Sequence, residues 1–220
     1  MENTNKMIVR YFRLFIGLFI CAIGIVMTIN AELGYSPWDV FHKGLGNILG
    51  TSIGTSNIIV GVVIVIIEVT MGQKPGIGTL CNMSLIGVFM NIIMNNNLLP
   101  TFDNLYANIL MIFIGMIIIG IGSYLYLGSG FGAGPRDGFM ILLLIKTNKS
   151  LRFIRNSMEV TALTLGYILG GPVGIGTVII SVGLGPTIQL VFNMFKFDAK
   201  GVKHRQLGDE VKACKNLFKK

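Results

Sequence analysis

Apolar and polar positions alternate along this chain in long blocks. Six blocks read as membrane-spanning helices, because each is predominantly apolar and carries at most one charged side chain. They occupy residues 11–29, 57–71, 77–94, 108–127, 157–169 and 175–195. The pattern therefore predicts an all-α integral membrane protein with about six transmembrane helices.

Two shorter and more polar segments, residues 37–49 and 135–145, interrupt these blocks. At about 1.5 Å per residue each is roughly 20 Å long or less, which is short for a bilayer core of about 30 Å. Both begin with a small N-cap residue, a proline at the first helical position and an aspartate at the third. These residues are Ser36, Pro37 and Asp39 in the first segment and Gly134, Pro135 and Asp137 in the second. We expect two re-entrant half-helices whose positive N-terminal ends approach the centre of the bundle.

The chain also repeats itself. When it is shifted by ninety-eight positions without gaps, about twenty of roughly eighty-five aligned residues are identical. The matches include the run 76–79 with 174–177, which reads Gly-Ile-Gly-Thr in both copies. We expect this run to permit close helix packing or a tight turn. The register predicts two three-span repeats, each with a half-helix after its first span.

Charge favours an inverted arrangement of the two repeats. If the half-helices do not cross, each repeat has three spans and the second must face the opposite way. Lys74, the 146–155 loop and the basic C-terminal tail then all lie on the cytoplasmic side, as the positive-inside tendency requires. The rival arrangement lets both half-helices cross, which gives eight spans in two parallel repeats and places Lys74 outside.

These patterns divide the chain into five parts, with both termini expected in the cytoplasm. The parts are a cytoplasmic N-terminal segment 1–10, a first membrane repeat 11–95, a connector 96–107, a second membrane repeat 108–195 and a basic cytoplasmic tail 196–220.

Composition supports the membrane assignment and removes other classes. The chain has 220 residues, 52% hydrophobic and 13% charged, with a mean hydropathy of +0.71. Its net charge of +8 comes mainly from the termini and one loop, so we expect no nucleic-acid partner. The three cysteines have no spacing typical of a disulfide framework or a metal site. We expect no metal, no cofactor and no enzymatic activity, since the sequence lacks the common catalytic motifs.

Candidate binding residues lie at the half-helix starts and on the spans that follow. Asp39 and Asp137 either cap their helices only or also bind a cation or proton, because an ionisable group at membrane depth is a functional candidate. His42 shares a helical face with Asp39, which would suit a proton relay, although an interfacial or cavity-facing role is the simpler interpretation. Arg155 and Glu159, four residues apart, form either a boundary pair or a pair directed into the bundle. Glu68 lies near the inner end of the second span, from where its side chain could snorkel to the interface. The full set of expected solute-binding residues is Pro37, Trp38, Asp39, His42, Pro135, Arg136, Asp137, Arg155, Glu159 and Gln189.

Several of these residues also carry a family resemblance. The runs 36–42, 75–79, 132–138 and 183–186, together with Arg155, Glu159 and Gln189, resemble the bacterial YczE/YyaS/YitT family of integral membrane proteins, in its YczE branch. The resemblance covers about residues 12–195 and implies a multi-pass protein of the bacterial cytoplasmic membrane. It implies no settled biochemical activity.

Two functions of different classes follow. The first is a small inverted-repeat transporter or permease for an unknown small solute or ion, surrounded by membrane lipid and compact enough to form a homodimer. The second is a non-transporting membrane accessory protein that binds a lipid or scaffolds a partner enzyme.

Overall fold

Residues 4–73 and 75–198 are described by a computed structural model of the protein. Within these ranges the chain forms eight α-helices and no strand. The helices are α1 (Thr4–Asn30), α2 (Pro37–Leu49), α3 (Ile53–Thr70), α4 (Ile77–Asn95), α5 (Leu105–Leu127), α6 (Pro135–Thr147), α7 (Leu151–Ile168) and α8 (Ile175–Met194). The all-helical prediction is confirmed, and α2 and α6 are the two segments predicted as half-helices, a name kept for them below.

Five helices have the length and apolar composition to cross a membrane: α1, α3, α4, α5 and α8. Helix α7 has a comparable length of 18 residues but carries Arg152, Arg155 and Glu159. The count of six spans therefore stays a prediction. Most of the tail 196–220, with Cys214, lies outside the described residues, as do Lys74 and the first three residues of the N-terminal segment.

Several helices begin earlier than their apolar blocks. Helix α1 starts at Thr4, so part of the expected polar segment 1–10 is helical. Helix α3 starts at Ile53 and α7 at Leu151, because Ser52 and Ser150 cap them by accepting from the backbone N–H groups of Thr55 and Phe153. Capping chemistry, rather than hydropathy, sets these helix starts, and much of the expected 146–155 loop is consequently helical.

The central contact of the bundle is a close antiparallel crossing of α1 and α5. A Cβ atom added to Gly24 would lie 2.7 Å from the carbonyl oxygen of Gly115. One added to Gly122 would lie 2.6 Å from the backbone nitrogen of Cys21. Small residues let helix backbones touch in this way in membrane proteins, where close packing replaces the hydrophobic drive.

The remaining helices pack around this pair. Helix α4 packs on α1, α8 on α5, and the half-helices α2 and α6 fill the space between α3 and α7. The main core contains Leu14, Leu18 and Val26 of α1 with Met90 and Ile93 of α4. Large apolar side chains on the outer faces are well exposed, for example Val182 at 72% and Ile66 at 56%. An outer apolar surface of this kind suits contact with lipid.

Candidate functional site

The site is built on the two loops that precede the half-helices, residues 31–36 and 128–134, here called the approach loops. The backbone N–H of Gly176 on α8 donates to the carbonyl of Leu33, with an N···O distance of 2.6 Å. The N–H of Gly78 on α4 donates to the carbonyl of Phe131 at 2.8 Å. A Cβ on either glycine would lie 2.9 Å from the accepting oxygen, so only glycine fits. Each Gly-Ile-Gly-Thr run therefore holds the approach loop that lies in the other half of the chain.

Threonine side chains complete these contacts. The Thr79 hydroxyl donates to the carbonyl of Ala133 at 2.7 Å and accepts from the N–H of Gly76 at 3.2 Å. Thr177 accepts in the same way from Gly174 at 3.2 Å. These bonds satisfy the polar groups of the irregular backbone inside the bundle. Irregular backbone exposed to lipid would have no such partners.

The start of α2 is a closed polar cluster. Ser36 Oγ accepts from the backbone N–H of Asp39 at 3.3 Å and donates to Asp39 Oδ2 at 2.5 Å. The other carboxylate oxygen, Asp39 Oδ1, lies 3.5 Å from Nδ1 of His42, and both side chains are buried. Ser36 is therefore the cap of α2, while the Asp39 carboxylate accepts from Ser36 and faces a buried imidazole.

Arg136 connects the starts of the two half-helices. It is the second residue of α6, and its guanidinium carbon lies 4.6 Å from the ring centre of Trp38, the second residue of α2. Its Nη2 donates to Asn57 Oδ1 at 3.1 Å and lies 3.3 Å from His42 Nε2. A guanidinium has donors only, so Nε2 of His42 must be the acceptor. The proton of a neutral His42 then sits on Nδ1 and faces Asp39.

This arrangement assigns His42 a positioning role in the described conformation. Nε2 of His42 lies 3.3 Å from Nη2 of Arg136, and Nδ1 lies 3.5 Å from Oδ1 of Asp39 without forming a hydrogen bond among the described residues. A second proton on Nε2 would place two donors and two positive charges face to face. The proton-relay hypothesis would therefore require Arg136 to move first.

Arg136 and His42 line a cavity of about 230 Å³ whose wall is formed by residues of α1 to α7. The expected site residues on its wall are Trp38, His42, Pro135, Arg136, Asp137, Arg155 and Glu159. Arg155 and Glu159 both reach the cavity, as in the inward interpretation of this pair. The wall carries charges of both signs together with the neutral polar groups Asn57, Asn82, Ser123 and Tyr126.

Three expected residues do not reach the cavity wall. Pro37 is buried as the first residue of α2, and Asp39 lies behind His42. Gln189 lies on an exposed part of α8, where its amide donates to Asn193 at 2.9 Å. The structure does not bring Gln189 together with the other expected residues.

Sequence reasoning missed or misplaced several contributors. Asn57 is a direct partner of Arg136, and its only sequence signal was its register with Arg155 in the repeat. Tyr126 accepts from the backbone N–H of Gly134 at 3.0 Å, which steadies the start of α6. Glu68, which could have snorkelled to the interface, turns into the bundle instead. Its side chain is 2% exposed, because it packs on the bare backbone of Gly138 in α6.

A second, apolar groove of about 430 Å³ adjoins the cavity. It lies between α2, α6 and α7 and shares Trp38 and Met158 with the cavity wall. Phe139, Leu143 and Phe153 are among its lining side chains, and Lys149 is its charged member.

Together the fold and the site define a polytopic helical membrane protein with a mixed-charge cavity beside two half-helix starts. The chain belongs to the family of unknown function DUF6198, whose model matches residues 8–193. The family resemblance drawn from the sequence, with its YczE branch, is confirmed.

Three relatives are similar over most of the chain. The uncharacterized membrane protein YczE of Bacillus subtilis (strain 168) is 38% identical over 183 residues, which is 82% of this chain and 84% of the relative. An uncharacterized protein of Haemophilus influenzae (strain ATCC 51907 / DSM 11121 / KW20 / Rd) is 32% identical over 82% of each chain. The uncharacterized protein YyaS of Bacillus subtilis (strain 168) is 28% identical over 80% of this chain and 89% of the relative. No solved structure matches the chain.

Proposed function

We propose that this protein is a small transporter or permease of inverted-repeat design, without enzymatic activity, and that the polar cavity holds a small solute or ion during passage. The observation that carries the proposal is the contact between Arg136 and Trp38. The second residues of both half-helices meet at one cavity wall, as a solute site built from two half-helix starts requires. Mixed charges on that wall suit a small polar solute.

The inverted six-span layout is part of the proposal. It is supported by cap positions that recur at the ninety-eight-residue register. Residues with a left-handed backbone occur in the pairs Glu32 and Gly130, Gly34 and Gly132, Gly50 and Asn148, and Gly72 and Gly170. The antiparallel crossing of α1 and α5 is the direction that an inverted repeat demands. In this layout both termini lie in the cytoplasm.

The test begins with solute identification. Purified protein is screened by thermal shift against amino acids, carboxylates, sugars and alkali cations, and each stabilising compound is then used radiolabelled with proteoliposomes. We expect flux in the wild type and its loss in Arg136→Ala and Asp137→Asn, with the melting temperature of Asp137→Asn close to wild type. Gln189→Ala is the matched control, because Gln189 lies outside the cavity. If no stabilising compound is transported and the two variants only lower stability, the transport proposal fails.

The apolar groove favours a second candidate, a lipid-binding accessory protein. Its walls suit an acyl chain, and Lys149 is the charged group that an anionic headgroup would contact. Native mass spectrometry of the purified protein tests this, with Thr161→Trp placed in the groove and Val178→Trp on the exposed face of α8 as control. Lipid adducts lost only in Thr161→Trp would favour this candidate. Equal retention in both variants would count against it.

A further inference from the structure

Glu68 is an acidic side chain buried where the cavity does not use it. It lies on α3, two residues before that helix ends, with a side-chain exposure of 2%. Its Oε1 atom has no hydrogen-bond partner among the described residues. An ionised carboxylate without a partner in such a place is strongly destabilised, whereas a protonated carboxyl is destabilised far less.

The surface that covers the carboxyl is Gly138 of α6. A Cβ atom built on Gly138 would collide with Glu68 Oε1, so the carboxyl occupies the space of a missing side chain. Gly138 ends the run of residues that also contains Arg136 and Asp137, both on the cavity wall. The position of Glu68 and the position of the cavity charges are therefore set by the same contact between α3 and α6.

The other repeat segment shows that this contact is specific. The residues that correspond to Glu68 and Gly138 at the ninety-eight-residue register are Gly166 and Val40. There a glycine on α7 receives the bulkier half-helix, since a Cβ on Gly166 would lie 2.6 Å from the carbonyl carbon of Val40. In the α3–α6 contact the glycine is on the half-helix, and the large residue on the span is an acid instead of an apolar side chain.

Other charged or titratable groups lie on the elements that pack against α3. They are Asp39, His42 and Lys43 on α2, Cys81 on α4, and Arg136, Asp137 and Lys146 on α6. His42 and Arg136 are engaged with each other, and Asp39 with Ser36. None of these groups hydrogen-bonds to Glu68 Oε1.

We propose that Glu68 is a proton-binding site whose protonated carboxyl holds α6 against α3 through Gly138. When the proton leaves, the charged carboxylate needs water or a cation around Oε1, the oxygen that Gly138 covers, and it gains these if α6 moves away from α3. Because α6 carries Arg136 and Asp137, proton release changes the cavity wall. The link from this movement to solute passage rests on the proposed transport function, whereas proton binding and the α3–α6 contact do not.

A chemical test uses N,N′-dicyclohexylcarbodiimide, which reacts with protonated carboxyls in apolar surroundings. Wild-type protein in liposomes at about pH 6 should gain an adduct that mass spectrometry maps to residues 53–73. The adduct should fall at least about tenfold near pH 9 and be absent in Glu68→Gln. Glu159→Gln should keep the adduct, since Glu159 lies on another helix. An unmodified Glu68 at both pH values would overturn the proposal.

A conformational test needs no solute. Spin labels are placed at Ile66 on α3 and Ile145 on α6, both exposed, in a variant without the three native cysteines. The distance between the labels should lengthen or broaden from about pH 6 to about pH 9 in the Glu68 protein. It should stay at the short value at both pH values in Glu68→Gln. A distance that does not change with pH in the Glu68 protein, or that changes equally in Glu68→Gln, would overturn the coupling between proton release from Glu68 and movement of α6, even if transport were established.

Discussion

The half-helices α2 and α6 are equal in length and in the chemistry of their first turn, yet they are packed very differently. Each has 13 residues, a proline at the first position and an aspartate at the third. Six residues of α2 are buried, including Asp39 and His42, whereas only Pro135 and Leu142 are buried in α6. The same helix-start motif therefore occurs in one half-helix that is well buried in the bundle and in one that is largely at its surface.

The packing partners explain this difference. Helix α2 contacts α7 backbone to backbone through Gly44, Gly166 and Gly171. Helix α6 contacts α3 through side chains, with Glu68 of α3 on Gly138 and with Arg136 hydrogen-bonded to Asn57 of α3. A close backbone contact is relieved only if a helix moves, whereas a side chain can change its rotamer. We therefore interpret α2 as the fixed side of the site and α6 as the side able to move.

The largest expected effect is at the fixed contact. Gly166→Ala places a methyl group 2.6 Å from the backbone of Phe41, so α2 and α7 must separate. We expect destabilisation of more than about 4 kcal/mol, seen as loss of the monodisperse peak in detergent and a sharply lower melting temperature. Gly185→Ala is the control, because its added Cβ meets nothing within 4 Å. A Gly166→Ala protein that melts like the control would show that α2 is not locked.

A smaller effect is expected at the yielding contact. Gly138→Ala pushes on the Glu68 carboxyl rather than on backbone, so we expect a loss of about 1–3 kcal/mol. Glu68→Ala in the same chain should recover most of the Gly138→Ala loss, because the added methyl then has room. A double-mutant cycle by thermal unfolding measures this. Strict additivity of the two substitutions would contradict the contact.

Removing the charge of the aspartate in α2 should lower stability more than removing the charge of the aspartate in α6. Asp39→Asn weakens a buried cluster with Ser36 and His42 and should cost about 1–3 kcal/mol. Asp137→Asn, at an exposed position, should cost less stability than Asp39→Asn, because water screens the charge of an exposed carboxylate. Melting temperatures of the two variants, recorded in one detergent, make the comparison. Equal losses would remove the distinction between the fixed and the movable half-helix.

The helices and caps were predictable because their signals are local. The Pro-x-Asp starts gave both half-helices at their first residues, and the Gly-Ile-Gly-Thr runs were recognised as places of close packing. Which residues line the cavity was partly predictable, because charged side chains near these helix starts avoid lipid and face the interior of the bundle. The stacking of Arg136 on Trp38 was not predictable, because it depends on how α2 and α6 are brought together across the bundle.

Glu68 and Gln189 show that hydropathy does not predict which polar residue of an apolar helix faces the bundle. Both are polar residues on apolar helices, and hydropathy alone treats them alike. Gly138 gives Glu68 a buried place, whereas Gln189 turns outward and bonds to Asn193 on its own helix. The face of a helix that turns inward is set by the helices that pack against it, and the hydropathy pattern of the single sequence did not predict that packing.

The central claim is that the two half-helices enter from opposite membrane faces and share one cavity. Single cysteines at Leu49 and Thr147, the last residues of α2 and α6, test it in a variant without the native cysteines. A membrane-impermeant maleimide is applied to sealed cells and then to inverted vesicles. The inverted six-span layout predicts that residue 49 is labelled from outside and residue 147 from the cytoplasm. Labelling of both residues from the cytoplasm would contradict it and support eight spans in parallel repeats.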